Sequence, residues 1–217
     1  MTETIDISRT TQTARIDELA PDFEARTTHG LVRLSDFRGR WLVFFSHPAD
    51  FTPVCTSEFI AFQDNKARFD ELNCDLLGLS VDSLYAHLGW VKDIEASFGV
   101  QITFPIIEDI SMSISRAYGM IHDGSSSTAT VRSLFVIDPE GYVRTLIHYP
   151  MNVGRSVEEV LRVVAALQEA EAREVATPEG WMPGDATMLP PPLDQAEANA
   201  RAKADGGAWY YTRSEAE

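Results

Sequence analysis

The apolar positions of the chain follow two rhythms, and their order predicts the fold class. Trp41-Leu42-Val43-Phe44-Phe45 is an unbroken apolar run, the pattern of a strand buried on both faces. After a short polar stretch, Phe59, Phe62, Phe69 and Leu72 recur at three- and four-residue steps and their sums, which predicts a helix. Residues 74–81 read as a second central strand, with Cys74 at its start. Residues 83–98 read as a helix with Leu84, Leu88, Val91, Ile94 and Phe98 along one face. Residues 104–107 predict a short strand whose Pro105 suits an edge or a strand start. Residues 111–118 predict a short helix stopped by Gly119. Residues 130–137 and 142–147 predict two strands joined by the turn sequence Asp138-Pro139-Glu140-Gly141. Residues 157–170 form an amphipathic helix with Val157, Val160, Leu161, Val164 and Leu167 on one side. Two short strands, within 20–25 and 31–34, precede all of these, and a polar loop over 35–40 leads into the first long strand. Strands interleaved with helices, then a hairpin and a last helix, give an α/β sandwich with a mixed sheet.

The ends of the chain lack this patterning. Residues 1–19 are polar and aperiodic and read as a loose N-terminal arm, mobile or docked on a partner subunit. From residue 176 the prolines Pro178, Pro183, Pro190, Pro191 and Pro192 break the rhythm, and Gly206 and Gly207 add freedom. Residues 193–204 allow a short helix, and Trp209-Tyr210-Tyr211 is too aromatic for a free tail. The expected organisation is an arm over 1–19, a domain over 20–175 and a C-terminal arm over 176–217 that packs on the domain or on a second copy.

Composition narrows the function classes. The 217 residues suit one domain with an appendage. The net charge of −15 repels phosphate backbones and anionic lipid, so neither nucleic acid nor a membrane surface is an expected partner. No stretch approaches the roughly 20 apolar residues of a membrane span. Met1-Thr2-Glu3-Thr4-Ile5-Asp6 does not open a signal peptide. Two cysteines without a C-x-x-C are too few for a disulfide scaffold and suit a reducing compartment, expected to be the cytoplasm. His29, His87, His122 and His148 have no ligand spacing, so no metal is expected.

The chemistry concentrates where the first long strand gives way to the helix. Thr52 is a suitable N-cap and Pro53 a favoured first helical residue, which puts Cys55 at the third helical position. There the orphan N–H groups and the helix dipole favour an anion, so a thiol has a reason to ionise and act as a nucleophile. The bland alternative is a buried structural cysteine. Cys74, with nothing in its neighbourhood of the sequence to favour a thiolate, takes that bland reading. Arg132 is a charge at the start of an apolar strand, and by pattern alone an edge arginine reaching solvent fits equally well. Glu58 reads either as a partner for an arginine or as a first-turn glutamate favoured by the dipole. A lone histidine such as His47 is by itself more often structural.

Pro48-x-x-x-Thr52-x-x-Cys55 resembles the active-site signature of the peroxiredoxins, thiol peroxidases of thioredoxin-like fold. The longer string His47-Pro48-Ala49-Asp50-Phe51-Thr52-Pro53-Val54-Cys55-Thr56-Ser57-Glu58 resembles their one-cysteine branch, and the likeness runs from about residue 22 to 185. The resemblance implies a thioredoxin-like fold, a mixed central sheet flanked by helices, with an extended C-terminal arm that builds a homodimer. A decameric or larger ring of dimers is the further assembly it allows. It implies Cys55 as the peroxidatic nucleophile, Thr52 to orient thiolate and peroxide, and Arg132 as the active-site arginine. Pro48 and Pro53 would fix the loop and exclude water, His47 would line the pocket, and Arg155 matches a second arginine of the branch. The implied activity is reduction of hydrogen peroxide or organic hydroperoxides through a sulfenic acid resolved by an external thiol, in antioxidant defence, with no cofactor. The C-terminal arm lacks the resolving cysteine of some long members. Arg40 stands before Trp41 where the member with phospholipase activity has a serine, so that activity is not expected. A peroxide sensor or a redox-regulated holdase using the same Cys55 is the main rival. A dithiol oxidoreductase lacks its C-x-x-C, and a cysteine hydrolase lacks a separate base.

Overall fold

The computed structural model describes residues 13–205 and 208–214. Residues 1–12 of the expected N-terminal arm, and 206–207 and 215–217 of the C-terminal one, lie outside the described residues. Two compact units divide the chain, Met1–Val157 and Glu158–Glu217.

The first unit is built on strands β1 (Glu24–Thr27), β2 (Gly30–Arg33), β3 (Trp41–Ser46), β4 (Cys74–Ser80), β5 (Ile106–Glu108), β6 (Arg132–Ile137) and β7 (Val143–Tyr149). They form one mixed sheet in the order β2-β1-β5-β4-β3-β6-β7. The pairs β3–β4 and β4–β5 are parallel, while β3–β6, β6–β7, β1–β2 and β1–β5 are antiparallel. Every residue of β3 and β6 is buried, which is why both read as continuous rather than alternating apolar runs.

Side chains on β3 alternate between two faces. Phe44 packs edge-on to Tyr118 at 4.9 Å, whose hydroxyl donates to the Pro21 carbonyl at 2.7 Å. Its neighbour Phe45 stacks on Phe62 at 4.4 Å and lies 5.5 Å from Phe59, on the other face. Fully burying each such ring contributes about 1.5–3 kcal/mol, so this aromatic layer is a major support beneath the helix that follows β3. Gly141, in the β6–β7 turn, has φ +88°, and a Cβ there would collide with the Arg38 guanidinium. A side chain there would be strained by the backbone and would have to displace the Arg38 side chain.

The helices of this unit are α1 (Pro53–Asp64), α2 (Lys66–Glu71), α3 (Leu84–Phe98) and α4 (Ser113–Ala117). The helix expected after Cys55 is thus broken at Asn65, whose N–H still bonds the Ala61 carbonyl. Ser83 caps α3 by accepting from the Ala86 N–H, and Gly99 ends it at φ +71°. The face of α3 differs from the expected one. His87, Trp90 and Ile94 are buried, whereas Leu88 and Phe98 are exposed. The polar type of His87 hid the true inner face from a pattern built on apolar residues. Residues 34–37 form a 3-10 turn, made from the last residue of the expected second strand and the start of the expected loop. Residues 17–20, at the end of the expected loose arm, are tied to the edge of the sheet, with the Asp17 N–H donating to the Val143 carbonyl at 2.8 Å.

The second unit holds most of α5 (Val157–Arg173), then α6 (Gln195–Asp205) and the two-stranded pair β8 (Thr187–Met188) and β9 (Arg213–Ser214). The expected apolar side of α5 is buried at Val157, Val160, Leu161 and Val164. Trp181 is buried and donates through its indole N–H to the Asp185 carbonyl at 3.0 Å, which closes the turn that starts the extension.

Candidate active site

The loop after β3 leaves the sheet at the carboxyl ends of the parallel strands, the general location of sites in α/β sheets. Phe51 turns it at φ +53°, and Thr52, extended at φ −116° and ψ 148°, is the N-cap of α1. Pro53 opens the helix and Cys55 is its third residue, as expected. The Thr52 side chain, however, does not cap. Its hydroxyl donates back to the Ala49 carbonyl at 2.9 Å, while its own carbonyl accepts from the Thr56 N–H at 3.0 Å. The proton of the Thr52 hydroxyl is committed, and its lone pairs remain to accept from a second group.

Strand β6 supplies the cation. Its register pairs Phe45 with Leu134, and two more steps put Arg132 beside the start of the Cys55 loop. Arg132 Nη1 donates to Cys55 Sγ at 3.4 Å and to Glu58 Oε2 at 2.7 Å. Its Nε and Nη2 both donate to the Met151 carbonyl, at 2.9 and 2.6 Å. Arg155 closes on the same carboxylate: its backbone N–H and Nε donate to Glu58 Oε1 at 2.7 and 2.8 Å, and Nη2 donates to Oε2 at 2.9 Å. Arg155 Nη1 takes the Ser133 carbonyl at 2.8 Å, and its guanidinium lies 5.2 Å above the Phe45 ring. Burial raises the Glu58 carboxyl, but the Arg155 charge and hydrogen bonds, with Arg132 behind them, outweigh it and hold Glu58 below the usual carboxylate range.

Cys55, Glu58, Arg132 and Arg155 are all buried. Two guanidiniums face one carboxylate, which leaves one positive charge uncompensated unless the sulfur carries a negative one. A buried charge without a partner is costly, so the group offers a counter-charge to an anion placed at the Cys55 sulfur. Of the remaining expected residues, Pro48 is half-buried and Pro53 exposed, and His47 is fully buried against Phe59 and Trp90, at ring distances of 4.8 and 5.1 Å.

Two residues that sequence reasoning passed over, Asp50 and His87, join His47. Asp50 Oδ1 is 2.7 Å from His47 Nε2, and Asp50 Oδ2 is 2.8 Å from His87 Nδ1. These three place potential ligand atoms within 4.8 Å of one another, so a spatial cluster exists where the sequence spacing of the histidines gave no sign of one. Both contacts are of hydrogen-bond length, so the Asp50 carboxyl group bridges the two rings. The polarity of His87 hid it from a pattern built on apolar residues, so the sequence offered no signal for it.

Cys74 is elsewhere. It begins β4 opposite Trp41, the first residue of β3, whereas Cys55 follows the last. The six residues of β3 span about 16 Å between those ends. Both cysteines are free. Burial, helped by Asp75, pushes the Cys74 thiol up to about 12.

The profile of the AhpC/TSA family matches residues 16–146, and that of the C-terminal domain of 1-Cys peroxiredoxin matches residues 166–204. A peroxiredoxin 2 of Picrophilus torridus is 49% identical over 191 residues, covering 88% of this chain and 94% of the relative. A peroxiredoxin of Aquifex aeolicus is 47% identical over 209 residues, covering 90% and 94%. Among solved structures, a yeast mitochondrial 1-Cys peroxiredoxin superposes with TM-score 0.82 at 40% identity, covering 93% of this chain and 100% of that one. A cysteine-to-serine mutant of peroxiredoxin 6 of Arenicola marina superposes with TM-score 0.83 at 32% identity, covering 94% and 98%.

Proposed function

The chain belongs to the AhpC/TSA family and is a peroxiredoxin, a thiol-dependent peroxidase, and from that premise we propose that Cys55 is its peroxidatic nucleophile and Arg132 and Thr52 its catalytic partners. The observation that carries the assignment is the Arg132 Nη1 shared between Cys55 Sγ and Glu58 Oε2.

The thiolate attacks one oxygen of the peroxide along the O–O bond. That bond breaks, sulfur is oxidised by two electrons to a sulfenic acid, and the second oxygen leaves as hydroxide or alkoxide and takes a proton. Arg132 stabilises the charge that develops on the leaving oxygen. The free lone pairs of Thr52 accept from the peroxide hydroxyl and orient it. Glu58 and Arg155 do not touch the reacting atoms in this scheme. They hold the Arg132 fork, and the Phe45 ring holds Arg155 from the other side. Pro48 and His47 support the loop that carries Thr52.

An external thiol then attacks the sulfenic sulfur, releasing water and forming a mixed disulfide, and a second thiol returns Cys55 to the reduced state. The yeast mitochondrial 1-Cys relative is described as resolving its thiol through glutathione and thioredoxin systems, which supports a low-molecular-weight or protein thiol in this role. The high position and burial of Cys74 support its staying out of the cycle. Two free cysteines also suit the reducing cytoplasm. No described helix is long and apolar enough to cross a membrane.

The proposed division is an arm over 1–19, a peroxidase domain over 20–175 and a dimerisation arm over 176–217. Exposed Leu193, Trp209, Tyr210 and Tyr211 in the last segment support a homodimer. Exposed Phe51 and Tyr85, on the peroxidase domain, support association of dimers into a ring. Stopped-flow oxidation with hydrogen peroxide, comparing wild type with Arg132→Gln, tests the assignment. A large fall in rate with an unchanged fold supports it, and an unchanged rate overturns it. A wild type that reacts only slowly would instead favour the sensor or holdase reading.

A further inference from the structure

The fully buried group His47–Asp50–His87 lies outside the machinery described above, and its protons can be counted. His87 Nε2 faces the Ile107 carbonyl at 3.1 Å, and a carbonyl only accepts, so Nε2 carries a hydrogen. His87 Nδ1 faces Asp50 Oδ2 at 2.8 Å, a distance at which two lone pairs cannot meet, so a second proton lies between them. A third lies between His47 Nε2 and Asp50 Oδ1 at 2.7 Å. His47 Nδ1 is a buried atom with no hydrogen-bond partner. A protonated nitrogen there would be a buried, unsatisfied donor, so that atom is the bare one. Burial raises the Asp50 carboxyl, but the hydrogen bonds from His47 and His87 outweigh it and hold it below its ordinary value. Burial lowers His47, which keeps it neutral. The inventory is then a His47 with its hydrogen on Nε2, a His87 with a hydrogen on Nε2, and one further proton in the hydrogen bond between Asp50 Oδ2 and His87 Nδ1.

Asp50 is tied at its backbone as well. Its N–H donates to Asp82 Oδ2 at 3.0 Å, and the same Asp82 oxygen accepts from the Ser80 hydroxyl at 2.8 Å. The peptide unit between Ala49 and Asp50 is therefore held from α3, through His87, and from the end of β4, through Asp82. The carbonyl of that peptide unit is the one that takes the Thr52 hydroxyl proton. The His47 carbonyl in turn accepts from the Thr130 hydroxyl at 2.8 Å, two residues before Arg132.

We propose that Asp50 and His87 are positioning residues of the peroxidase reaction: a buried, hydrogen-bonded Asp–His pair that fixes the Ala49–Asp50 peptide, and through it keeps the Thr52 hydroxyl as an acceptor facing the peroxide. The inference rests on the assignment of Cys55 and Thr52 above. It assigns the cluster to proton sharing rather than to a metal.

The amide of Asp50→Asn can accept from His47 Nε2 and donate to His87 Nδ1, so it preserves both hydrogen bonds while removing the carboxyl group. Stopped-flow oxidation by hydrogen peroxide in wild type, Asp50→Asn, Asp50→Ala, Thr52→Val and the double variant Asp50→Ala/Thr52→Val reads the coupling. Asp50→Ala is expected to slow oxidation by ~10- to 100-fold, the scale of misplacing a reacting group by about 1 Å. Asp50→Asn is expected to stay within about threefold of wild type, because both hydrogen bonds survive. The double variant is expected to be no slower than the slower single, since both changes remove one oriented hydroxyl. Nitrogen-15 spectra of the histidine rings should show a hydrogen on His87 Nε2 in wild type and in Asp50→Asn alike. Additive losses in the double variant, an Asn variant as slow as the Ala variant, or a His87 Nε2 without its hydrogen in wild type would each overturn the proposal. So would stoichiometric zinc binding by wild type that His87→Gln abolishes. Should Asp50→Ala fail to fold, the Asn variant and the spectra still decide. The spectra also separate this proposal from the assignment of Cys55, because the proton count does not depend on which residue reacts.

Discussion

Cys55 and Cys74 are equally buried, with no accessible surface, yet the groups around their sulfurs differ. Cys55 sits in the first turn of α1, with an arginine proton on its sulfur and a surplus positive charge beside it. Cys74 sits at the start of β4, where its sulfur makes a weak contact to the Asp75 carbonyl at 3.6 Å and burial, outweighing a backbone hydrogen bond from Val43, pushes its thiol up to about 12. Burial alone therefore says nothing about a thiol's reactivity. What matters is whether the buried site supplies a partner for the anion.

The largest expected effect is that of Cys55→Ser, which should reduce peroxide consumption with dithiothreitol to background, a loss of at least ~1000-fold. An active Cys55→Ser would end the contrast outright. Arg132→Gln, which removes the charge but retains a donor, is expected to slow oxidation of Cys55 by ~100- to 1000-fold in stopped flow, the cost of losing one donor to a developing oxyanion. Glu58→Ala would leave Arg132 and Arg155 buried without their carboxylate, and should cost about 3–5 kcal/mol in denaturant unfolding. A stable and fully active Glu58→Ala would show that the arginines are held by Met151 and Ser133 instead.

Acid should loosen the Cys55 region. His47, Asp50 and Glu58 all lie below their ordinary values in the folded protein: burial does this for His47, while the two carboxyls are lowered by their partners against burial. Between the folded and unfolded values the unfolded chain binds more protons, so stability rises with pH there. Each contribution is complete above the ordinary value, 6.5 for His47 and 4.5 for Glu58, and is lost as pH falls through the folded one. Thermal melts should therefore fall steadily from neutrality toward pH 4. A flat profile would contradict the buried-pair account. The smallest effect belongs to Cys74→Ser, which should leave peroxide consumption within about twofold while lowering stability by about 1–3 kcal/mol for a buried hydroxyl.

The centre of the fold was legible because β3, β4 and β6 are buried strands whose runs of apolar residues leave little choice. The inner face of α3 was not, because its innermost residue is a histidine whose polarity is satisfied by Asp50 and the Ile107 carbonyl. The strands β8 and β9, of two residues each, carry no periodicity to read. At the site, Thr52-Pro53-x-Cys55 announces itself by local rules of helix starts. The convergence of Arg132 and Arg155 on Glu58 does not, since those residues stand 74 and 97 positions away along the chain. By pattern alone Arg132 could equally have reached solvent, and only the resemblance chose between the two. The capping hydrogen bond expected of the Thr52 side chain is not made: the hydroxyl turns back to donate to the Ala49 carbonyl in the same loop, and its lone pairs do not accept from the first turn of α1.

One equivalent of hydrogen peroxide, added without reductant in the presence of a sulfenic-acid trap and followed by intact and peptide mass spectrometry, tests the central contrast most directly. The account predicts a single adduct on Cys55, a free Cys74 and no disulfide. A Cys55–Cys74 disulfide, or an adduct on Cys74, would contradict it.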